Sequence, residues 1–340
     1  MWESAGERSR EAHLPFHKSF EKPDLPVARS HFRRRSLRVF FFLAVGLSAA
    51  MPTPPPAAAS FPGRSGAIAF SWCHNTSEDI DGCDVATITK GGRTRFLTDF
   101  GYDIHEFGSD WSPGGRWLAY DQDFGTGFEL KIVRANGSED RFLVPSAHSP
   151  AWSPNGRRLA FSKGNNTDLF SIRRDGKQLK RIVRTKAGEH SVDWSSRNRL
   201  VFARGFGGRS EIWVMRPDGT HQRRLTNNKV FDGEPDWGPG GRRIVFSRFA
   251  RGHSSIFTMR RNGTHLRRIG PGSQPTWSPD GRLIAFVQEG LPAIYVMAPN
   301  GSDGRVLVET PLVYEDPDTG DEFPLSFGPV DLDWRPRPNP

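Results

Sequence analysis

Short apolar runs alternate with polar turns that contain glycine, proline, asparagine or aspartate along residues 61–336. Trp277–Phe286 shows the unit: a Trp, a Ser-Pro-Asp-Gly turn, and then an apolar strand. The same unit recurs at 111–120, 152–161, 194–202 and 237–246. No segment of this region has the sustained periodicity of an amphipathic helix. The pattern predicts an all-β fold.

The aromatic residues that end these strands recur at a nearly constant spacing. The intervals are 50, 41, 41, 44 and 40 residues for Phe70, Tyr120, Phe161, Phe202, Phe246 and Phe286. A period in the low forties is typical of one blade of a β-propeller. We therefore expect a six-bladed propeller of four-stranded antiparallel blades over residues 61–336, followed by a short tail at 337–340.

Each repeat also contains a hairpin signal between its third and fourth strands. The dipeptides are Asn136-Gly137, Asp175-Gly176, Asp218-Gly219, Asn262-Gly263 and Asn300-Gly301. Asn-Gly and Asp-Gly tolerate the two positive φ angles of a type I′ turn. The sequence predicts that turn type at all five positions.

The two ends of the repeat region complement each other. The first repeat, Gly66–Thr98, has no Trp strand before it, whereas Val330–Trp334 is a Trp strand with no repeat after it. Pairing the two would complete blade one and close the ring, which leaves no exposed sheet edge between the first and last blades.

The repeat Trp-Ser-Pro-Asp-Gly, then Ile-Ala-Phe, then Ile-Tyr-Val-Met with Asn-Gly, resembles that of TolB-like propellers over about residues 63–336. It is also similar to the WD-like repeats in the propellers of prolyl-oligopeptidase-type and tricorn-like proteins. The resemblance implies the fold and leaves the activity open, because one superfold hosts many functions. TolB carries an α/β domain before its propeller, whereas an export segment is expected here.

Residues 1–60 are predicted to be an export signal with a polar leader and a Pro/Ala-rich spacer. Arg33–Arg35 and Arg38 precede the apolar run Val39–Ala50, which is too short for an ordinary membrane span. Small residues mark cleavage candidates after Ala50 and Ala59. An extracytoplasmic location follows: periplasmic, cell-surface or secreted. The alternative is an uncleaved N-terminal anchor, which would be the only attachment to a membrane.

Several chemistries are excluded by their missing motifs. The sequence contains no Gly-x-Ser-x-Gly, no phosphate-cradling loop and no zinc-binding helix motif. The formal charge is +9, but no aromatic residues are interleaved with the basic ones in the way that nucleic-acid binding requires. We expect no nucleic-acid partner.

Polar residues just before each Trp are predicted to surround one mouth of the central channel, which we call the funnel mouth. The candidate ligand-binding residues are His105, His148, His190, Glu234, Gln274 and Asp331. Histidines with acidic and amide neighbours suit a polar ligand or a divalent cation. The alternative is a hydrated polar channel without a ligand. The acidic connections 98–109 and 309–327 are expected to overhang this face, and Asp316–Asp321 has a slight likeness to a calcium loop.

We favour an exported, non-enzymatic, monomeric propeller that binds or scaffolds a protein, peptide or cell-envelope glycan. It would do so through its funnel face, the face that carries the funnel mouth. The alternative is a metal-dependent, lyase-like carbohydrate-active enzyme that uses His148 and His190. No cofactor is expected beyond a possible divalent cation.

Cys73 and Cys83 are expected to form a disulfide in the loop between two strands of blade one, because export places them in an oxidising compartment. The alternative is two unpaired thiols.

Overall fold

The computed structural model of the chain describes residues 65–75, 80–89, 94–98, 104–125, 127–164, 167–206, 208–309, 313–315, 322–324 and 330–336. The predicted export segment, the tail at 337–340 and the acidic stretch Asp316–Asp321 lie outside these ranges.

All regular elements within the described ranges are β-strands. In chain order they are β1 (Ser65–Asn75), β2 (Ile80–Ile88), β3 (Thr94–Phe96), β4 (Ile104–Trp111), β5 (Trp117–Asp123), β6 (Phe128–Arg134), β7 (Arg141–Pro145), β8 (Ala147–Trp152), β9 (Arg158–Lys163), β10 (Asp168–Arg173), β11 (Lys180–Arg181), β12 (Glu189–Trp194), β13 (Leu200–Phe206), β14 (Arg209–Met215), β15 (Arg223–Arg224), β16 (Phe231–Trp237), β17 (Arg243–Ala250), β18 (His253–Arg260), β19 (Arg267–Pro271), β20 (Ser273–Trp277), β21 (Ile284–Gln288), β22 (Leu291–Met297), β23 (Arg305–Glu309), β24 (Val313–Glu315), β25 (Glu322–Pro324) and β26 (Val330–Pro336). In the same ranges there is accordingly no helix with the length and apolarity to cross a membrane.

The strands form four-stranded antiparallel units. Strands β8 to β11 and β20 to β23 each make a separate four-stranded sheet. Each of two larger sheets contains two such units, joined by a short parallel contact between β2 and β4 or between β14 and β16. A small hairpin, β24–β25, stands apart. The predicted all-β fold with four-stranded antiparallel units is confirmed.

One strand of each unit carries the repeated Trp, and we call these the Trp strands: β4, β8, β12, β16, β20 and β26. Successive Trp strands lie side by side along the chain, and β26 contacts both β20 and β4. The last strand also pairs antiparallel with β1, with Trp334 opposite Ile68. The first and last described strands therefore belong to one sheet.

The core lies between neighbouring units. Trp117 and Ile132 pack with Trp152 and Phe161 of the following unit. In the same way, Trp334 belongs to a cluster that contains residues of both β1 and β22. Because each sheet buries both faces against its neighbours, its inner strands read as continuous apolar runs.

The Asn-Gly and Asp-Gly hairpins differ from the predicted type I′ turn. Within each dipeptide only the glycine has positive φ, for example 76° at Gly137, while the Asn or Asp before it does not. Instead, the Asn136 side chain accepts a hydrogen bond from the backbone N–H of Ser138 at 3.1 Å. The other four hairpins repeat this bond from the residue two places on. The prediction of type I′ is wrong because the Asn or Asp acts through its side-chain oxygen, in an Asx turn.

The two cysteines lie within strands rather than in a loop. Cys73 on β1 is directly opposite Cys83 on β2, with the Cα atoms 3.9 Å apart, and the two form a disulfide. The predicted loop position is wrong because β1 and β2 extend further than the apolar pattern indicated, to Asn75 and from Ile80.

Candidate functional site

The Trp strands share one local distortion three residues before the Trp. At that position φ lies between 51° and 60° in Gly108, Ser149, Ser191, Glu234, Gln274 and Asp331. The pairing register shifts at the same place in the five Trp strands from β4 to β20. This is a β-bulge, which redirects side chains at the rim of a sheet. It determines where the predicted mouth residues lie.

Side chains at the bulge connect one Trp strand to the next. A Glu234 carboxylate oxygen accepts the backbone N–H of Gln274 at 2.8 Å, and the Gln274 amide oxygen accepts the N–H of Asp331 at 2.9 Å. The Asp331 carboxylate in turn accepts the N–H of Gly108 at 3.1 Å. Three of the predicted site residues are therefore joined in a hydrogen-bonded series around the mouth.

Gly108 has no side chain that could continue the series, and the carboxylate of Asp121 on β5 takes the place of the missing side chain. The Asp121 carboxylate accepts the N–H of Ser149 at 2.9 Å. A Cβ atom built on Gly108 would lie 2.1 Å from an Asp121 oxygen. Asp121 was missed by the sequence analysis because it lies on a different strand from the other mouth residues. Burial raises its pKa to about 7.

His148 and His190 occupy equivalent positions on the adjacent strands β8 and β12. In each, Nδ1 contacts the hydroxyl of the following serine, Ser149 or Ser191, at 3.2 or 3.3 Å. Desolvation lowers the pKa of His148 to about 4, with a further contribution from His190, and also lowers the pKa of His190. Both imidazoles are neutral at pH 7, so the pair offers hydrogen bonding without charge.

An aromatic ring packs against each of the two histidines. The Phe128 ring centroid is 5.5 Å from that of His148, and Phe231 stacks on His190 at 5.8 Å with 11° between the planes. His105, in contrast, lies apart from the pair. It is opposite Cys83 across the parallel contact of β2 and β4, and its ring stacks on Phe107.

A second layer of carboxyl groups lies two residues further along the Trp strands. It consists of Asp110, Asp193, Asp236 and Asp333, each directly before a Trp. Asp110, Asp193 and Asp236 accept the N–H of the Trp on the next strand, at 2.5 to 2.6 Å. The Trp strand that precedes β12 has Ala151 at the equivalent position, which carries no carboxyl group. The backbone N–H of Trp194 donates instead to Asp193, the residue directly before it.

These carboxyl groups also lie close enough to one another to interact electrostatically. Burial raises the pKa of all four groups, that of Asp333 to about 7, and the charges of neighbouring acids contribute to the rise in Asp110, Asp236 and Asp333. The layer therefore carries less negative charge at neutral pH than its four Asp residues suggest. These four Asp residues can be recognised in the sequence, because each stands one place before the Trp of its strand.

Buried acids at the start of the Trp strands have a structural role. Asp232 accepts two hydrogen bonds from the guanidinium of Arg248, at 2.6 and 2.9 Å, and Glu189 accepts one from Arg204. Glu106 faces Gln122 instead of an arginine. With no cation opposite, burial raises the pKa of Glu106 to about 8. These contacts fix the ends of the Trp strands.

The mouth residues do not fit a divalent cation. Within the described ranges, no group of three or more His, Cys, Asp or Glu side chains converges in a way that could hold a metal. The Nδ1 atoms of His148 and His190 contact serine hydroxyls. Glu234 accepts hydrogen bonds from the backbone N–H of Gln274 and the hydroxyl of Ser247. We therefore derive no chemical step that depends on a metal.

Comparison with known proteins shows a likeness to TolB propellers. The model of the TolB beta propeller domain (PD40) matches residues 196–317. Tol-Pal system protein TolB of Anaeromyxobacter dehalogenans (strain 2CP-C) is 30% identical over 128 residues, which cover 36% of this chain and 27% of the relative. The chain thus matches about a quarter of the length of that curated relative.

Solved structures agree with this result at the level of the fold. TolB from Acinetobacter baumannii superposes with a TM-score of 0.64 at 15% identity, covering 80% of this chain and 67% of that one. An oligogalacturonate lyase in complex with manganese reaches 0.50 at 16% identity, covering 71% of this chain and 74% of that one. At such identities the likeness concerns the fold alone.

The repeated antiparallel units, the side-by-side Trp strands and these likenesses define a β-propeller. More specifically, the chain is a TolB-like β-propeller, and the predicted resemblance is confirmed.

Proposed function

We propose that this chain is an exported, non-enzymatic binding protein whose funnel face receives a segment of a protein of the cell envelope. The funnel face is the end of the units that carries the Trp-strand bulges and the hairpins between the second and third strands of each unit. The observation that carries the proposal is the pair of neutral histidines at the mouth, combined with exposed apolar side chains at the same end of the strands.

Three large apolar side chains are exposed near those hairpins. Phe124, Phe249 and Leu291 are 42%, 46% and 46% exposed, and they belong to three different units. Apolar anchors around a polar centre are typical of protein and peptide recognition. Neutral His148 and His190 suit this role because they can donate or accept hydrogen bonds to a peptide backbone without the cost of desolvating a charge.

The similarity to a Tol-Pal system protein supports a protein partner. The alternative of a metal-dependent lyase receives no support from the mouth, since its residues do not fit a cation.

The proposal includes a closed ring of six blades. The pairing of β26 with β1, and its contacts with β20 and β4, favour a blade made of β26, β1, β2 and β3. Closure would make the mouth a continuous rim rather than an open groove.

Site-specific photo-crosslinking tests the proposal. A benzoylphenylalanine at Phe249, on the funnel face, is compared with one at Leu266, which is 45% exposed in the segment before the outer strand β19. The two positions are matched in exposure and lie in the same unit. We expect a discrete protein adduct in envelope extract from position 249 only. Adducts of equal yield at both positions, or none at 249, would contradict the proposal.

A further inference from the structure

The end of the units opposite the funnel face carries an arginine-rich surface that the proposed function does not use. Three depressions of about 550, 870 and 500 Å³ lie there in succession. Their walls contain twelve Arg or Lys side chains and two Asp. We call the three together the arginine groove.

The depressions are continuous. Asn155 and Arg158 line both the first and the second, and Arg197 lines both the second and the third. The groove therefore crosses three successive units, from the β8–β11 unit through the β12–β15 unit to the β16–β19 unit. Its positive charge is spread along a line rather than directed at one point.

Like charges face each other directly across two strand pairs in the groove. Arg158 on β9 is opposite Arg173 on β10, and Arg243 on β17 is opposite Arg260 on β18. Opposed like charges destabilise a sheet unless something compensates for them. Asp175 forms an ion pair with Arg173 at 3.0 Å. In the described part of the chain, no acidic partner contacts Arg243 or Arg260.

We propose that the arginine groove is a docking surface for a linear acidic polysaccharide, with carboxylate, phosphate or sulfate groups along its chain. Guanidinium groups bind such oxyanions through two parallel hydrogen bonds. A polymer with regularly spaced anions would contact the charge of all three units, which a single small anion cannot do. Leu179, which is 46% exposed in the second depression, offers apolar surface to the face of a sugar ring.

Nucleic acid fits the groove less well. Its one aromatic lining residue in the described ranges is Trp194, which is 8% exposed and so offers no face for base stacking.

The test uses the full chain with dextran sulfate as the probe and neutral dextran of equal length as its control. The groove variant is Arg242→Gln/Arg243→Gln/Arg261→Gln, three exposed side chains. The matched variant is Lys186→Gln/Arg209→Gln/Arg251→Gln, which removes the same charge from exposed positions near the funnel-face end. Thermal unfolding checks that both variants keep the fold.

We expect wild-type protein to bind dextran sulfate and not dextran. The groove variant should lose about tenfold or more in affinity, and its slope of log K against log salt should fall by roughly 2. The matched variant should stay within about twofold of wild type. Absence of binding at low salt, an equal loss in both variants, or binding of neutral dextran would overturn the proposal. So would tighter binding of single-stranded poly(dT) or polyglutamate of matched charge, which would assign the groove to nucleic acid or to an acidic protein.

Discussion

A carboxylate oxygen of Asp333, on the last strand, accepts a hydrogen bond from the backbone N–H of Trp111 at 2.6 Å, although the two residues are 222 positions apart. On the same strand, the Asp331 carboxylate accepts the backbone N–H of Gly108 at 3.1 Å. The strand β26 is thus tied to β4 by buried polar contacts as well as paired with β1. Burial raises the pKa of both carboxyl groups.

The Asp333 carboxyl is expected to make stability depend on pH. Its pKa is raised in the folded state to about 7, so its stabilising contribution is fully present below the unfolded value near 4 and is lost as pH rises through about 7. Asp333→Asn keeps an acceptor for Trp111 and cannot ionise. We expect the free energy of unfolding of the variant to exceed that of wild type by about 2 kcal/mol at pH 8, and to differ little from it at pH 5. Denaturant titrations at both pH values measure this. Exposed Asp303→Asn is the control, and a change of equal size at both pH values would contradict the expectation.

Trp334→Ala tests whether the last strand is part of the first blade. The indole is 2% exposed and packs with residues of β1 and β22. Truncation of a buried Trp costs about 3–5 kcal/mol. We expect a marked fall in the melting temperature, and a comparable fall in a chain that ends at residue 329. Phe142→Ala, at a side chain 51% exposed on β7, should have little effect. A melting temperature within a degree or two of wild type for both β26 variants would mean that β26 does not complete the blade.

Neutral substitution of Asp232 and of Glu106, two buried acids at equivalent positions of their Trp strands, should change the free energy of unfolding by different amounts. Asp232→Asn leaves the Arg248 guanidinium without its charge partner, so a loss of about 3 kcal/mol is expected. Glu106→Gln should change the free energy of unfolding at pH 7 by less than about 1 kcal/mol, because a group with its pKa near 8 is already mostly protonated. Equilibrium unfolding of the two variants provides the comparison. Similar losses in both would show that Glu106 is ionised.

The Cys73–Cys83 disulfide joins neighbouring strands of the first blade. We expect thiol titration of denatured, unreduced protein to find no free thiol among these two residues. Replacement of both by Ala should cost about 2–3 kcal/mol, as estimated for closure of a short loop in the unfolded chain. Two titratable thiols per chain would refute the bridge.

The fold could be predicted from the sequence because its signals are local. Strand, turn and aromatic positions repeat within each unit, and the predicted strand that leads to Phe161 corresponds to β9, Arg158–Lys163. The hairpin turn type was wrong because the Asn or Asp side chain bonds to the backbone, which dipeptide statistics do not reveal. The cysteine positions were wrong because strand length past the apolar run depends on pairing.

The candidate site could be predicted only in part. Counting back from each Trp located His148, His190 and the Glu234–Gln274–Asp331 series, because the Trp strands are equivalent. The partners of these residues lie on other strands, as Asp121 does for Ser149, and no local pattern indicates them. His105 lies two residues further upstream than the positions counted back from the Trp, and the parallel contact of β2 and β4 places it opposite Cys83.

The central claim is that the funnel mouth binds a protein segment through His148 and His190. A phage-displayed peptide library is selected on the full chain, and the affinity of the recovered peptides is then measured by calorimetry. The test variant is His148→Ala/His190→Ala. The matched control is His221→Ala/His265→Ala, which changes two exposed histidines in the hairpins of the opposite end.

We expect the mouth variant to weaken peptide binding about tenfold or more, and the control variant to leave it within about twofold. Because burial keeps the pKa of His148 near 4 and lowers that of His190, the two imidazoles should add no change in affinity at the ordinary histidine value of about 6.5. A change near pH 7 that is also present in the mouth variant would instead report Asp121, whose pKa burial raises to about 7. Recovered peptides that bind the mouth variant as tightly as wild type would contradict the claim.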